Sequence, residues 1–239
     1  MAGCRTSRAA VLSLVALTWC IFSAAARGDI IYSNDFQGPV GGEWSNTATA
    51  TSPSGRTFLG QFGNGSVTLT LSGLGAHTDI NLSFDLYLLG TWSGIHPSFG
   101  GPDSITVQAD GTPLLSSSFT NKSSPAFQQN YPDQLGGATH PGFTGAAEVN
   151  TLGYNPDSVY HLDLALEHSA STLSITFTGN FKPPFGVDKN SIKTWGLDNV
   201  VVESLNGQVA EVLPEPGSLL LGLFGAAGVL VAARRRVAR

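Results

Sequence analysis

Apolar side chains recur at every second position in four stretches of the chain. In one of them the apolar residues are Ile80, Leu82, Phe84, Leu86 and Leu88. Alternation at period two places all the apolar side chains on one face of an extended strand. The same pattern recurs in the stretches 67–71, 160–166 and 173–177. Strands with one apolar and one polar face are typical of antiparallel sheets that bury a single side.

The sequence predicts an all-β fold. No run longer than about one turn shows the 3.6-residue period of a helix, so helices should be rare. An Asp110-Gly111 pair between two alternating runs is a hairpin signal, and Thr112 and Pro113 are expected to lengthen that loop. We expect a two-sheet antiparallel jelly-roll sandwich over residues 27–206. Its predicted strands are 30–36, 57–62, 66–71, 80–89, 104–109, 114–119, 159–167, 172–178 and 197–203.

Two segments, 90–103 and 120–158, interrupt the regular spacing of the strands. Loops of that length inside a compact domain are usually functional or mobile. Their aromatic residues include one tryptophan and two tyrosines in polar surroundings, and an exposed aromatic ring is a surface on which a sugar can stack. Carbohydrate binding is therefore one reading of these residues, and pinning of the loops to the sandwich is the other. The three residues are Trp92, Tyr131 and Tyr154.

The charge of the domain restricts the classes of partner. Residues 27–206 contain six lysines and arginines against fifteen aspartates and glutamates, a net charge near −9. Nucleic-acid binding requires basic side chains that neutralise phosphates, so this balance argues against a nucleic acid as a partner. The same balance is compatible with cation binding.

The N-terminal segment has the organisation of a secretory signal peptide. Arg5 and Arg8 precede an apolar stretch at 9–22, and three alanines at 24–26 form a small-residue cleavage site. We expect residues 1–26 to be removed, with Arg27 as the mature N-terminus; a retained anchor is the alternative. Both cysteines of the chain lie in this segment, so the processed protein is expected to have neither thiols nor disulfides.

The C-terminal segment has the composition of a membrane span. Residues 217–233 carry no charge, and 17 residues is about the shortest helix that crosses a bilayer. A basic tail at 234–239 with four arginines follows, and the positive-inside rule places it in the cytoplasm and the domain before the span outside. A linker at 207–216 precedes the span. Two prolines in this linker favour extended, accessible backbone.

Three features follow one another at this end of the chain and together resemble the PEP-CTERM sorting signal of bacterial exported proteins. They are the motif Pro214, Glu215 and Pro216, the apolar span, and the cluster Arg234, Arg235 and Arg236. That resemblance implies a membrane-anchored precursor that the protease exosortase cleaves near the Pro-Glu-Pro motif. It also implies delivery to the cell surface or the extracellular matrix, where such proteins are associated with exopolysaccharide. The alternative is an ordinary tail anchor that remains in the membrane.

The two ends of the domain carry a second resemblance. Asp35-Phe36 with Trp44 downstream, and Asp198-Asn199 near the end of the domain, resemble concanavalin-like jelly rolls, including the MAM domain. This likeness implies that the first and last strands lie side by side, often with calcium between them. Calcium prefers six to eight oxygen ligands, and a cation would relieve repulsion between Asp35 and Asp198. The alternative is that both aspartates cap turns or face water.

No catalytic constellation is evident in the sequence. Asp163 and Glu167 share a strand face, but their backbones are about 13 Å apart, which is too far for a glycosidase pair. Neither a Gly-x-Ser-x-Gly elbow nor a His-Glu-x-x-His site occurs. The sequence therefore favours a structural or adhesive protein that is not an enzyme. A carbohydrate-binding module is the first alternative, and a hydrolase with carboxylates from separate strands is the second.

Overall fold

The computed structural model describes residues 28–96, 102–181 and 193–205. In these ranges the regular structure is β-strand throughout, and no helix is long and apolar enough to cross a bilayer. The strands are β1 Asp29–Asn34, β2 Thr49–Thr51, β3 Thr57–Phe62, β4 Gly65–Ser72, β5 Asp79–Gly90, β6 Ser104–Ala109, β7 Thr112–Ser118, β8 Gln128–Gln129, β9 His140–Pro141, β10 Glu148–Val149, β11 Asp157–Glu167, β12 Thr172–Asn180 and β13 Lys193–Leu205.

The predicted signals at the two ends of the chain lie outside the described residues. At the N-terminus this is the signal peptide at 1–26; at the C-terminus these are the linker at 207–216, the membrane helix at 217–233 and the basic tail at 234–239. The residues of the predicted sorting motif lie there too, namely Pro214, Glu215, Pro216, Arg234, Arg235 and Arg236. The sorting signal therefore stays a prediction from the sequence.

The strands form two main sheets in which every strand pair is antiparallel. The large sheet has the order β10-β11-β5-β13-β3-β2, and β1 pairs with the part of β13 that β3 leaves free. The small sheet has the order β4-β12-β6-β7, and β8 and β9 form a separate two-stranded ribbon. Along the chain, the strands from β3 to β6 belong alternately to the large and the small sheet, and so do β11, β12 and β13. The described residues thus form an antiparallel sandwich of the jelly-roll kind, as the alternating pattern predicted.

The core lies between the two sheets and is built from the residues of the alternating pattern. The five apolar residues of β5, from Ile80 to Leu88, are all fully buried. Phe84 on the large sheet meets Phe177 on the small sheet edge to face, with ring centroids 5.2 Å apart. The period-two pattern therefore correctly identified the buried face of each of these strands.

All nine predicted strands are present, with boundaries that differ by at most four residues. The structure adds four short strands, β2, β8, β9 and β10, of which three lie in the segment 120–158. The Asp110-Gly111 turn is present, with both residues at positive φ (48° and 84°). The expectation of a longer loop is wrong, because Thr112 and Pro113 already pair with β6. Proline is tolerated there because β7 is the edge strand of its sheet.

A second, smaller apolar cluster covers part of the outer face of the large sheet. It consists of Phe58, Tyr87, Leu89, Leu152 and Val159. The segment that contributes Leu152 is held down by a two-pronged ion pair, in which Arg56 donates to both oxygens of Glu148 at 2.9 and 2.7 Å. These bonds raise the pKa of Arg56 and lower the pKa of Glu148.

Candidate functional site

A row of polar side chains crosses the outer face of the large sheet on three neighbouring strands. In the strand register, His161 of β11 lies opposite Asp85 of β5, and Asp85 lies opposite Asp198 of β13. The imidazole Nδ1 of His161 is 2.8 Å from Asp85 Oδ1, and this bond raises the pKa of His161. On the other side, the Asn199 amide donates to Asp85 Oδ2 at 2.7 Å. The row is thus a continuous hydrogen-bonded network, which we call the polar row.

Asp198 is the buried end of the polar row. The Tyr87 hydroxyl donates to Asp198 Oδ2 at 2.7 Å, and the Asn199 N–H donates to Oδ1 at 2.9 Å. Burial raises the pKa of the Asp198 carboxyl, and the charges of Asp85 and Asp35 act in the same direction. Burial also raises the pKa of Tyr87, and its bond to Asp198 adds to that shift. Asn199 adopts φ 48° at a bulge in β13, which turns its amide toward Asp85.

Asp35 directly follows β1, and its charge acts on Asp198. The first and last strands lie side by side as expected, with Asn34 opposite Val200. A depression of about 440 Å³ between them is lined by Asp35 and Asn199 among others. Asp35 Oδ1 also accepts the Gln37 N–H at 3.2 Å, which is the turn-capping role. Within the described part of the chain no three His, Cys, Asp or Glu side chains form a metal group. Calcium between Asp35 and Asp198 stays a prediction.

One of the three loop aromatics borders an accessible cleft. Tyr154 is half-buried and lines a cleft of about 170 Å³ together with Gln61, Pro156 and Thr194. The Gln61 amide donates to the Tyr154 hydroxyl and so orients the ring. An aromatic ring beside amide and hydroxyl groups is the combination that a sugar ring requires. Tyr154 therefore presents an aromatic ring at the edge of a cleft.

Trp92 and Tyr131 have the loop-pinning role instead. Trp92 is completely buried, and its indole N–H donates to the Thr194 carbonyl at 3.0 Å. This corrects the expectation that Trp92 offers a stacking surface, because neither of its faces is accessible. Tyr131 is half-buried and stacks on Phe119 with centroids 5.0 Å apart. It also meets Tyr160 edge to face, so its ring completes the core beneath its loop.

A groove at one end of the sandwich brings two carboxylates together. Asp79 of β5 and Glu167 of β11 lie directly opposite each other in the register. They line an open groove of about 670 Å³ with His168. From the sequence, Glu167 was compared only with Asp163, and that pair is too far apart. Asp79 was missed because the register between β5 and β11 does not follow from the sequence. No aromatic ring is among the described residues that line this groove, apart from the imidazole of His168.

Comparison with known proteins gives distant structural likenesses only, among them the two that follow. No family model matches the chain, and no curated protein matches it. Dimeric latent PorU from Porphyromonas gingivalis is 13% identical with a TM-score of 0.41, over 77% of this chain but only 14% of PorU. The C-terminal domain of EclA, a sugar-binding protein, is 10% identical with a TM-score of 0.28, over 64% of this chain and 88% of that domain. At this level of likeness neither protein bears on what the chain does.

Proposed function

We propose that the chain is an exported structural or adhesive protein of the cell surface or extracellular matrix, without catalytic activity of its own. One observation carries the proposal: the folded domain is followed by three features in the order of a PEP-CTERM sorting signal. They are a Pro-Glu-Pro motif at 214–216, the uncharged stretch 217–233, and the arginines Arg234, Arg235 and Arg236. The signal peptide at 1–26 exports the chain. The apolar stretch then holds the chain in the membrane until exosortase cleaves it near the Pro-Glu-Pro motif.

The domain has properties that suit a passive surface protein. The edges of the small sheet are covered in part: the Ser116 N–H on β7 donates to Gln134 O at 2.6 Å, and the Thr70 N–H on β4 donates to Glu43 O at 2.8 Å. Covered edges hinder uncontrolled pairing with other sheets. Cross-strand hydroxyl pairs, such as Thr68 with Thr176 at 3.0 Å, lie on the outer face of the small sheet. A hydroxyl-bearing face is compatible with contact to exopolysaccharide.

The location of the C-terminus after export tests the sorting proposal. In the native host, we expect intact-mass spectrometry of the surface fraction to find a species that ends near residues 214–216. A variant with Pro214, Glu215 and Pro216 all replaced by alanine should remain in the membrane fraction at full length. A variant with alanines at Asn46 and Thr47, an exposed pair in the domain, is the control. A wild-type surface species that ends at Arg239 would instead support a permanent tail anchor.

Carbohydrate binding is the second candidate, and the Tyr154 cleft favours it. We expect the host exopolysaccharide to bind the purified chain, and Tyr154→Ala to weaken that binding roughly five- to tenfold, because an aromatic stacking contact contributes about 1 kcal/mol. Tyr154→Phe keeps the ring and should retain most of the affinity. Affinity electrophoresis or calorimetry measures both. Equal affinity of Tyr154→Ala and wild type would rule out this cleft as the binding site.

A glycoside hydrolase is the least favoured function. It would use Asp79 and Glu167, whose strand positions are compatible with the roughly 5–10 Å that such carboxyl pairs require. Their groove is open, and its described lining offers no Trp, Tyr or Phe ring for a sugar to stack on. The Tyr154 cleft has the ring but is lined by no carboxylate in the described part of the chain. The features of a hydrolase are therefore divided between two places.

A further inference from the structure

The imidazole of His161 is oriented by a carboxylate behind it. A carboxylate accepts hydrogen bonds, so the contact of 2.8 Å between His161 Nδ1 and Asp85 Oδ1 places a hydrogen on Nδ1. Asp85 is itself fixed by the Asn199 amide at 2.7 Å. The second ring nitrogen, Nε2, is then the one with a lone pair in the neutral imidazole. In metal sites, the histidine that binds the metal through one ring nitrogen usually donates its other ring N–H to a carboxylate, a carbonyl or a water.

The second ring nitrogen has another ligand group beside it. Asp163 is two residues further along β11 and therefore on the same face of the sheet. Its Oδ2 atom is 3.7 Å from His161 Nε2, and the His161 and Asp163 side chains are 55% and 62% exposed. Two ligands at about 2.0–2.2 Å from a tetrahedral zinc ion are roughly 3.4 Å apart. The observed separation is within a few tenths of an ångström of that distance.

We propose that His161 and Asp163 form a binding site for a divalent transition-metal ion of the zinc or copper class. His161 Nε2 and the Asp163 carboxylate are the protein ligands, and water or groups of a bound partner complete the coordination. Asp85 is a positioning residue that fixes the imidazole. An imidazole ligand favours zinc or copper over calcium, which prefers oxygen ligands alone. This site is separate from the calcium predicted between Asp35 and Asp198, and it does not depend on the sorting proposal.

The charges around the site favour a cation. Asp85, Asp198 and Asp35 are neighbours in the polar row or next to it. The described lysines and arginines contact groups other than His161 and Asp163: Lys193 pairs with Asp103, and Lys122 lies over the ring of Phe127. Arg56 pairs with Glu148 and also interacts with Tyr87 at the Asp198 end of the polar row. A surface rich in carboxylates raises the local concentration of cations. The competing explanation is an ion pair in which a protonated His161 contacts both carboxylates.

The chain contains a second histidine-aspartate pair that serves as a control for this site. His140 Nε2 is 3.6 Å from Asp133 Oδ2, so the residue types and the distance are nearly the same. Among the described contacts, however, no carboxylate orients the His140 ring from behind. In addition, Asp133 Oδ2 already accepts the Ala138 N–H at 2.7 Å. His140 is also less exposed than His161, 28% against 55%, and its Nε2 atom is buried. His140→Ala therefore controls for the loss of a histidine beside an aspartate, whereas the proposed metal ligand is the accessible imidazole of His161.

Titration of the purified full-length chain with Zn²⁺ by calorimetry, and with Cu²⁺ by electron paramagnetic resonance, tests the proposal. We expect one saturable site, with nitrogen coupling in the copper spectrum. His161→Ala should abolish that coupling and weaken binding at least tenfold, and Asp163→Ala should also weaken binding at least tenfold. Asp85→Asn should weaken binding about 10- to 100-fold, because it alters only the support of the ligand. His140→Ala should bind like the wild type.

Two results would overturn the proposal. The first is wild-type binding weaker than about 1 mM for both metals, which would leave the ion pair as the explanation. The second is unchanged binding and nitrogen coupling in His161→Ala. Both replaced ligands are more than half exposed, so the variants should fold, and equal melting temperatures confirm that.

Discussion

Replacement of Asp103 by alanine is expected to lower the free energy of unfolding by about 3–5 kcal/mol. Asp103 and Lys193 form a buried ion pair, with the Lys193 ammonium 2.8 and 3.1 Å from the two carboxylate oxygens. The Lys193 and Asp103 side chains are 3% and 1% exposed. Removal of the carboxylate leaves the ammonium group without this counter-charge at a position that water hardly reaches.

The position of this pair adds to its importance. Asp103 immediately precedes β6 in the small sheet, whereas Lys193 begins β13 in the large sheet. Asp103 Oδ2 also accepts the Ser93 N–H at 2.5 Å, which fixes the chain just after β5. The pair therefore joins the two layers of the sandwich at one end. Loss of the carboxylate removes both the ionic contact between the two sheets and the hydrogen bond that fixes the loop at Ser93.

Equilibrium denaturation by urea, followed by tryptophan fluorescence, measures this effect. Glu148→Ala is the matched control, because it breaks an ion pair of partly exposed side chains, 40% for Arg56 and 33% for Glu148, and should cost no more than about 1 kcal/mol. The double variant Asp103→Leu with Lys193→Met should recover the part of the loss that comes from the unpaired charge, since an apolar pair needs no counter-charge. It should not recover the part that comes from the lost acceptor of the Ser93 N–H. Asp103→Ala within about 1 kcal/mol of wild type would contradict a structural role for the pair.

The sequence contained enough information for the strands but not for their long-range pairs. Period-two alternation identifies a strand and its buried face locally, so β5 and β12 could be predicted from their own residues. The partner of Asp103 lies 90 residues away, and no local pattern marks Lys193 as buried. The same holds for His168, whose ring stacks on that of His77, 91 residues away, with centroids 5.0 Å apart. Such pairs follow only from the order and register of the strands.

For the candidate site too, the local positions of the residues could be predicted from the sequence, whereas most of their contacts could not. The alternating pattern placed Asp85 on the polar face of β5, and the resemblance of the chain ends placed Asp198 beside Asp35. The polar row from His161 to Asp198 could not be predicted, because its contacts depend on the register of three strands and on the bulge at Asn199. Neither is visible in the sequence. The composition of the surrounding loops also did not show that Trp92 is buried whereas Tyr154 is partly exposed. Both occur in polar loops, and their burial is decided by packing against distant residues.

Trp92→Ala is expected to lower the free energy of unfolding by about 3–5 kcal/mol, because it leaves a cavity in a core that collapses only in part. The indole is fully buried and meets the ring of Phe181 edge to face at 5.2 Å. Its N–H is the donor to the Thr194 carbonyl, so the substitution also removes a partly buried hydrogen bond between this loop and β13. For a domain of this size the melting temperature should fall by roughly 10 °C.

Thermal denaturation of Trp92→Ala beside Tyr154→Ala separates a structural aromatic from a ligand-binding one. Tyr154 is half-buried over the small outer cluster, so its removal should cost clearly less stability than removal of Trp92. If Trp92 instead contacted a ligand, its replacement would leave the melting temperature within about 2 °C of wild type and reduce polysaccharide binding. That outcome would require an exposed indole, because a ring with no accessible face can affect binding only through the stability of the fold.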